Sequence, residues 1–186
     1  MVSLNRVEMQ KSSRRMIRAL SPETLDVAEI SGKWGRMFNF RSYQQFRYPK
    51  YDICAGPFTD AQGETYTFDL ILANQVWEHL DRPYAALGNV RRMLNKGGYF
   101  WLAVPFFIPF HAAPADNSRW SARGLKNLLI EAGFEETAIS AHQWGNRNAA
   151  LRNMEETWPP VFTKGEDSLE NDPRMPICAW ALAQKT

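Results

Sequence analysis

Between residues 68 and 104 the spacing of apolar positions changes twice. Residues 68–73 (Phe-Asp-Leu-Ile-Leu-Ala) are a short, nearly continuous apolar run. That is the pattern of a strand buried on both faces of a parallel sheet. Tyr84, Leu87, Val90, Arg91 and Leu94 then recur at helical spacing. Asp81 is placed to cap this helix, Pro83 lies in its first turn, and Gly97-Gly98 mark its end. Residues 99–104 are a second apolar run, closed by Pro105. Strand, helix and strand at these lengths form a crossover unit, which makes a parallel sheet. Ligands of open α/β sheets sit outside the carboxyl ends of the strands. Residues 74–79, polar, aromatic and ionisable, are therefore the first place to look for function.

The remaining pattern supplies further elements. Val7, Met16, Ile17 and Leu20 give a weak helical period to an N-terminal arm over residues 1–22. Residues 25–30 are the first strand, followed by a turn with two glycines, Ser31-Gly32-Lys33-Trp34-Gly35, that opens toward a helix at Arg36. Residues 42–48 and 51–55 are further strand candidates, and 56–67 is loop by composition. Residues 106–120 form a long connection, and loops this long inside a compact domain are usually functional. Ser121 caps a helix carrying Leu125, Leu128 and Leu129 and ending at Gly133; a strand follows from Phe134 to about His142. A short helix over 146–154, a surface excursion over 155–175 and a final strand over 176–183 complete the chain.

At 186 residues the chain suits one domain, residues 1–186, with a proper core. A net charge of +2, from 22 basic and 20 acidic residues, offers no electrostatic case for nucleic acid. Two cysteines, Cys54 and Cys178, form neither a disulfide framework nor a zinc-type spacing, so no metal is expected. No apolar run spans a bilayer and the start lacks a signal-like segment, so a cytoplasmic protein is expected.

The candidate residues each have two readings. Gly32 and Gly35 either mark a tight turn or let a ligand approach backbone. Glu29, at the end of a buried strand, needs a partner, either an arginine or a ligand's amino group. His79 is a packed histidine or a general base; His111 is a surface loop residue or the better general base, since imidazole titrates near neutral pH. Glu78 is a carboxylate near a helix start or a substrate contact. Trp77 and Trp120 are core or pocket wall, and Phe106 opens the long loop beside them as a possible substrate contact. Asp116 and Arg119 orient a polar substrate or pair with each other.

Phe68-Asp69-Leu70-Ile71, then Val76-Trp77-Glu78-His79-Leu80, then Met93-Leu94-Asn95-Lys96-Gly97-Gly98 together resemble the small, type 11 class I S-adenosylmethionine-dependent methyltransferases. Their pattern is F-D-L/V-I/V, a V-L-E-H-like turn, and a helix ending L-K-P-G-G. The resemblance covers residues 25–142 and the last strand. The stretch from Ser118 to Leu125, with Ala132-Gly133-Phe134, is similar to such enzymes too, some associated with bacterial surface-polysaccharide pathways. The resemblance implies an α/β, Rossmann-like, doubly wound, mostly parallel sheet with helices on both faces and an antiparallel last strand. It implies S-adenosylmethionine as cofactor, held by Glu29, Ser31, Gly32, Lys33 and Gly35, with Asn74 and Gln75 beyond the next strand. Ser31 and Lys33 replace the first two glycines of the family's G-x-G-x-G loop, and Lys33 is placed to pair with the cofactor's carboxylate. The family's ribose-binding acid is missing after residues 42–48, where Gln44 and Gln45 stand, and Asp52 is the candidate to align with the acid near the adenine. The glycine loop lies close to Asp69, so the helix between is expected to be short or absent. The acceptor expected is a small polar molecule such as a sugar, received between residues 74–79 and 106–120. Two rivals remain: a degenerate methyltransferase fold acting as a binding protein, and a nicotinamide-dependent oxidoreductase, for which G-x-G-x-x-G is absent.

Overall fold

A computed structural model describes residues 2–112 and 114–186; Met1, in the expected N-terminal arm, and Ala113, in the 106–120 loop, lie outside the described residues. Six strands form one sheet: β1 (Asp26–Ile30), β2 (Ser42–Phe46), β3 (Phe68–Asn74), β4 (Leu94–Pro105), β5 (Ile139–Trp144) and β6 (Cys178–Gln184), in the order β2-β1-β3-β4-β6-β5. β2, β1, β3 and β4 run parallel. β6 enters antiparallel to both β4 and β5. The helices are α1 (Val7–Arg18), α2 (Pro83–Met93), α3 (Ala122–Glu131) and α4 (Arg147–Arg152). This is the expected Rossmann-like sheet with helices on both faces.

Successive side chains on a strand point to opposite faces, so a sheet covered twice needs apolar residues at both parities. β3 and β4 meet that need. Ile71, Ala73, Phe100, Leu102 and Val104 pack with α2 and α3. Leu70, Leu72, Trp101 and Ala103 pack on the other side with α1, α4 and Trp34. There Trp34 stacks on Trp101 with centroids 4.3 Å apart. α1 buries Met9, Ser13 and Ile17, one residue per turn, against β6. Ser121 and Asn146 cap α3 and α4, accepting from the backbone N–H of Gly124 and Ala149.

Several boundaries differ from the sequence reading, each for a local reason. Residues 51–55 are a turn rather than a strand: Asp52 accepts the N–H of Cys54 at 2.8 Å, and Asn89 of α2 holds the Ile53 carbonyl at 2.6 Å. The glycine turn leads into a single 3-10 turn, Trp34–Met37. α2 is capped by Arg82 without a side-chain bond, while Asp81 accepts instead from Asn117 at 3.0 Å. α2 also ends at Met93, before the glycines, and Gly97-Gly98 lie inside β4. A Cβ on Gly98 would press on the carbonyls of Phe68, Asp69 and Asn95, so the glycine serves close strand contact, not helix termination. The strand expected from Phe134 starts at Ile139, after a 3-10 turn.

Candidate functional site

β1 and β3 are neighbours, and the chain leaves them toward opposite edges of the sheet, which opens a crevice at their carboxyl ends. Both strands end on a non-glycine residue in the left-handed region, Ser31 at φ 53° and Gln75 at φ 57°. Such strain persists where the surroundings impose it, commonly beside a ligand. Ser31 is held by its N–H on the Phe46 carbonyl at 2.7 Å, and Gln75 by its N–H on the Ala103 carbonyl at 2.8 Å.

Between them lies a cavity of about 680 Å³, within the usual range for small-molecule sites. Of the expected residues it gathers Ser31, Gly32, Lys33, Asp52, Gln75 and His79. Arg47, Tyr48, Tyr51 and Cys54 line it as well, and the sequence reading passed over them. Their signal was available, because Arg47-Tyr48 follow β2 as Gln75 follows β3, polar and aromatic residues just past a strand end.

Glu29 and Gly35 stand behind the wall. The Glu29 carboxylate is fully buried and accepts the N–H of Trp34 and of Gly35, each at 2.7 Å, together with the Tyr43 hydroxyl. Among the described residues its partners are these three groups and not an arginine; the carboxylate shapes the turn from beneath. Burial, and then the bond to Glu29, push the Tyr43 phenol well above its usual range. A Cβ on Gly32 would overlap Glu29 Oε1, so the residue is glycine because of the carboxylate under it. Gln45, considered as a substitute for the ribose acid, is spent on the same turn, donating to the Gly32 carbonyl and accepting from Arg36 at 2.6 Å.

A second cavity, about 330 Å³, lies on the other side of Gln75 and His79, which line both. Ser3, Asn5, Arg6, Ile108, His111 and Trp158 also surround it, and the buried Cys178 thiol, pushed up to about 12 by desolvation, contributes to its wall. The 106–120 loop docks onto the 3-10 turn Trp77–His79. Asn117 and Ser118 donate backbone N–H to the Glu78 carbonyl, and His79 Nδ1 meets the Ala115 carbonyl. That carbonyl can only accept, so Nδ1 is the donor and Nε2 is the nitrogen left to turn toward other partners.

Glu78 lies beneath the histidines. It is fully buried, neither carboxyl oxygen has a hydrogen-bond partner among the described residues, and Oε1 is 3.7 Å from His79 Nε2. Desolvation raises its pKa to about 8, opposed in part by the charges of Arg119 and Arg6. Asp116 and Arg119 pair with each other, Nη2 on Oδ2 at 2.6 Å, and the guanidinium holds the Asp116 carboxyl well below the usual carboxylate range. Asp116 also accepts the backbone N–H of His111 at 2.7 Å.

Nine expected residues line neither cavity: Glu29, Gly35, Glu78, Asp116 and Arg119, placed above, and Asn74, Trp77, Phe106 and Trp120. Trp77 is fully buried against Phe100 and donates to the Pro83 carbonyl at 3.1 Å, because a large apolar ring on a turn facing the core packs there. Trp120 is half-buried against the core beside α3, and Phe106 points outward, 36% exposed. Asn74 ends β3 with Oδ1 buried and unpartnered. Among the described residues no helix is long and apolar enough to cross a membrane.

The fold has counterparts. A SAM-dependent methyltransferase of Thermotoga maritima, described as a possible histamine N-methyltransferase, superposes with a TM-score of 0.56 at 15% identity, covering 98% of this chain and 97% of that one. An S-adenosylmethionine-dependent methyltransferase of Mesorhizobium loti gives 0.54 at 13% identity over 91% and 96%. The O-methyltransferase of a trans-AT polyketide synthase multienzyme of Brevibacillus brevis, solved with S-adenosyl-L-homocysteine, gives 0.52 at 13% over 98% and 80%. No curated protein matches the sequence. Nothing in these likenesses bears on surface polysaccharides. A family described as a methyltransferase domain matches residues 6–164. That match runs from the second cavity's Arg6 through the crevice and its loops to the excursion beyond Trp158, and with it the chain belongs to the methyltransferase-domain family.

Proposed function

We propose that the chain transfers a methyl group from S-adenosylmethionine, bound in the larger cavity, to a small polar acceptor in the smaller one. One observation carries the reading: the cavities lie back to back and share Gln75 and His79 at the carboxyl ends of the strands. When bound, S-adenosylmethionine supplies a methyl group already activated by its sulfonium charge.

The lining suits that ligand. Backbone at Ser31–Lys33 is open to the cavity, Lys33 and Arg47 offer cations for a carboxylate, and Asp52 and Asp81 offer acceptors for hydroxyl and amino groups. Gln75 Nε2 is a buried donor without a protein partner, a group that a ligand would satisfy. On the acceptor side, His79 and His111 are the two of the three histidines that line the smaller cavity, where an imidazole nitrogen can meet the acceptor. Arg6 at the same wall suits an acceptor bearing an anionic or strongly polar group. Asn117, Ser118 and Ala115 of the 106–120 loop bond to Glu78 and His79 at the shared wall, and the residues there position the partners, which is most of what such a displacement requires.

Titration calorimetry of the protein with S-adenosylhomocysteine, with NAD as control, tests the reading. Micromolar binding of the first and none of the second is expected. Absence of binding to both would leave a methyltransferase fold that binds something else. Lys33→Gly should weaken S-adenosylhomocysteine by about 2–10-fold, the worth of one exposed charge-assisted contact. Unchanged or tighter binding would remove Lys33 from the carboxylate.

A further inference from the structure

Three groups that bind cations converge at the wall between the cavities. One donor atom from each of Glu78, His79 and His111 lies within 4.8 Å of the others. The two imidazole rings meet edge to face with centroids 5.1 Å apart. Beneath them, Glu78 is wholly buried with both oxygens unpartnered.

We propose that Glu78, His79 and His111 bind a divalent transition-metal ion of the zinc class, whose open coordination position faces the acceptor cavity. The role of that ion rests on the methyl-transfer reading; the site itself does not. A buried carboxylate with no donor is costly, and a cation supplies what both oxygens lack. The imidazole of His79 is already oriented as a metal ligand usually is, by an outer partner, and that of His111 stands beside a carboxylate with Nδ1 not hydrogen-bonded among the described residues. His79 has the Ala115 carbonyl on Nδ1, which turns Nε2 toward Glu78. His111 has Asp116, whose Oδ2 lies 3.3 Å from Nδ1, and Arg119 fixes that carboxylate in turn.

The donor set decides the ion. Two imidazole nitrogens and one carboxylate oxygen suit zinc, cobalt, nickel or ferrous iron, whereas magnesium and calcium prefer oxygen alone. Tetrahedral bonds of about 2.0–2.1 Å place donors roughly 3.4 Å apart. Glu78 Oε1 and His79 Nε2, at 3.7 Å, are nearly there, and His111, carried on the loop, closes the remainder by a small ring movement. Three protein ligands with a fourth position open is the arrangement of a catalytic metal rather than a structural one. A hydroxyl oxygen in that position would be acidified toward neutral pH. The acceptor class is therefore an alcohol or polyol, since an amine already offers a free lone pair.

The test uses the full chain after chelator treatment, titrated with Co²⁺ alone and followed by its d–d absorption. One equivalent should bind, and Zn²⁺ should displace it. Glu78→Gln and His111→Gln should each weaken Co²⁺ by at least about 10–100-fold, the usual loss for removing even an outer partner. His142→Gln, on β5 away from both cavities, should leave Co²⁺ binding as it was. Calorimetry with S-adenosylhomocysteine on the same samples separates the two readings. Intact S-adenosylhomocysteine binding without a stoichiometric Co²⁺ band overturns the metal site alone. A Co²⁺ band without S-adenosylhomocysteine binding supports the site and overturns its role in methyl transfer. Undiminished Co²⁺ binding by His111→Gln overturns the ligand set, and that variant, altered on a half-buried loop position, decides the matter should Glu78→Gln fail to fold.

Discussion

At Glu29 the sequence offered a carboxylate in search of a cation, and the structure answers with two backbone N–H groups and a phenol. An ionised group can be held by dipoles alone when they are enough in number and well aimed. Tyr43→Phe removes one of these donors and should cost about 1.5–3 kcal/mol in urea denaturation, the range for a hydrogen bond to a charge. Gly32→Ala forces the carboxylate from its seat, so it should cost at least about 2–3 kcal/mol and also weaken S-adenosylhomocysteine. A stable variant with unchanged affinity would show that the turn tolerates a displaced Glu29. Glu78 makes the opposite case: no side chain donates to it, and its own backbone N–H and the charges of Arg119 and Arg6 only partly offset its burial. Its pKa rises from 4.5 to about 8 on folding, so the native state favours the protonated acid. That contribution is whole below about pH 4.5 and is lost as pH rises through 8. Facing it are Arg6, Arg119, Asp116, His79 and His111, none of which donates to it. In metal-free protein Glu78→Gln should therefore flatten the fall in Tm between pH 5 and pH 8 and leave the variant more stable at pH 8, by on the order of 3 kcal/mol. A parallel pH profile for parent and variant would remove Glu78 as the cause. Sequence showed Glu29 and Glu78 as carboxylates in unusual places. What each faces depends on backbone and loop geometry that no spacing rule encodes.

At the scale of elements, the legible parts were those where one pattern dominates. β3, α2 and β4 carry long apolar runs whose period admits a single reading, and the model places them within a few residues of the expectation. Their ends were less legible. Gly97-Gly98 look like a helix stop by composition, but strand contact at Gly98 takes precedence. The 51–55 segment alternates like a strand, yet the Asp52 side chain bonds its own backbone and folds it into a turn. That turn brings Tyr51 and Cys54 to the cavity, so the misread element and the missed site residues share one origin. The loop after β4 was legible as functional from its length. That it would bring His111 to His79, 32 residues earlier in the chain, was not, because the contact depends on the loop docking onto Trp77–His79.

Across the whole molecule, the N-terminal segment and the 155–175 excursion close on each other. Leu4 donates to the Pro160 carbonyl at 2.8 Å, and the amides of Asn5 and Asn153 exchange hydrogen bonds at 2.7 and 2.8 Å. Both asparagines are buried, and Asn5 lines the smaller cavity. Asn5→Ala should cost about 1–3 kcal/mol in chemical denaturation by removing both bonds between the amides, Asn153 keeping only the Ala149 carbonyl and the Trp158 indole N–H. Its amide exchange should rise over residues 2–6 and 158–162, with α2 unaffected. Uniform exchange across the chain would instead make this closure part of one cooperative unit.

The placement of β6 between β4 and β5 has a consequence for how the protein is made. Residues 178–184 are translated after every other strand, yet they supply the pairing that both neighbours need. Until they leave the ribosome, β5 has no partner and β4 presents an open, apolar edge. The nascent chain must therefore wait, dependent on whatever shields such edges, and close its sheet only once residues 178–184 have emerged. A premature stop before residue 178 should yield aggregate rather than a weakened enzyme, and a chain stalled on the ribosome should remain open to protease until residue 184 has emerged.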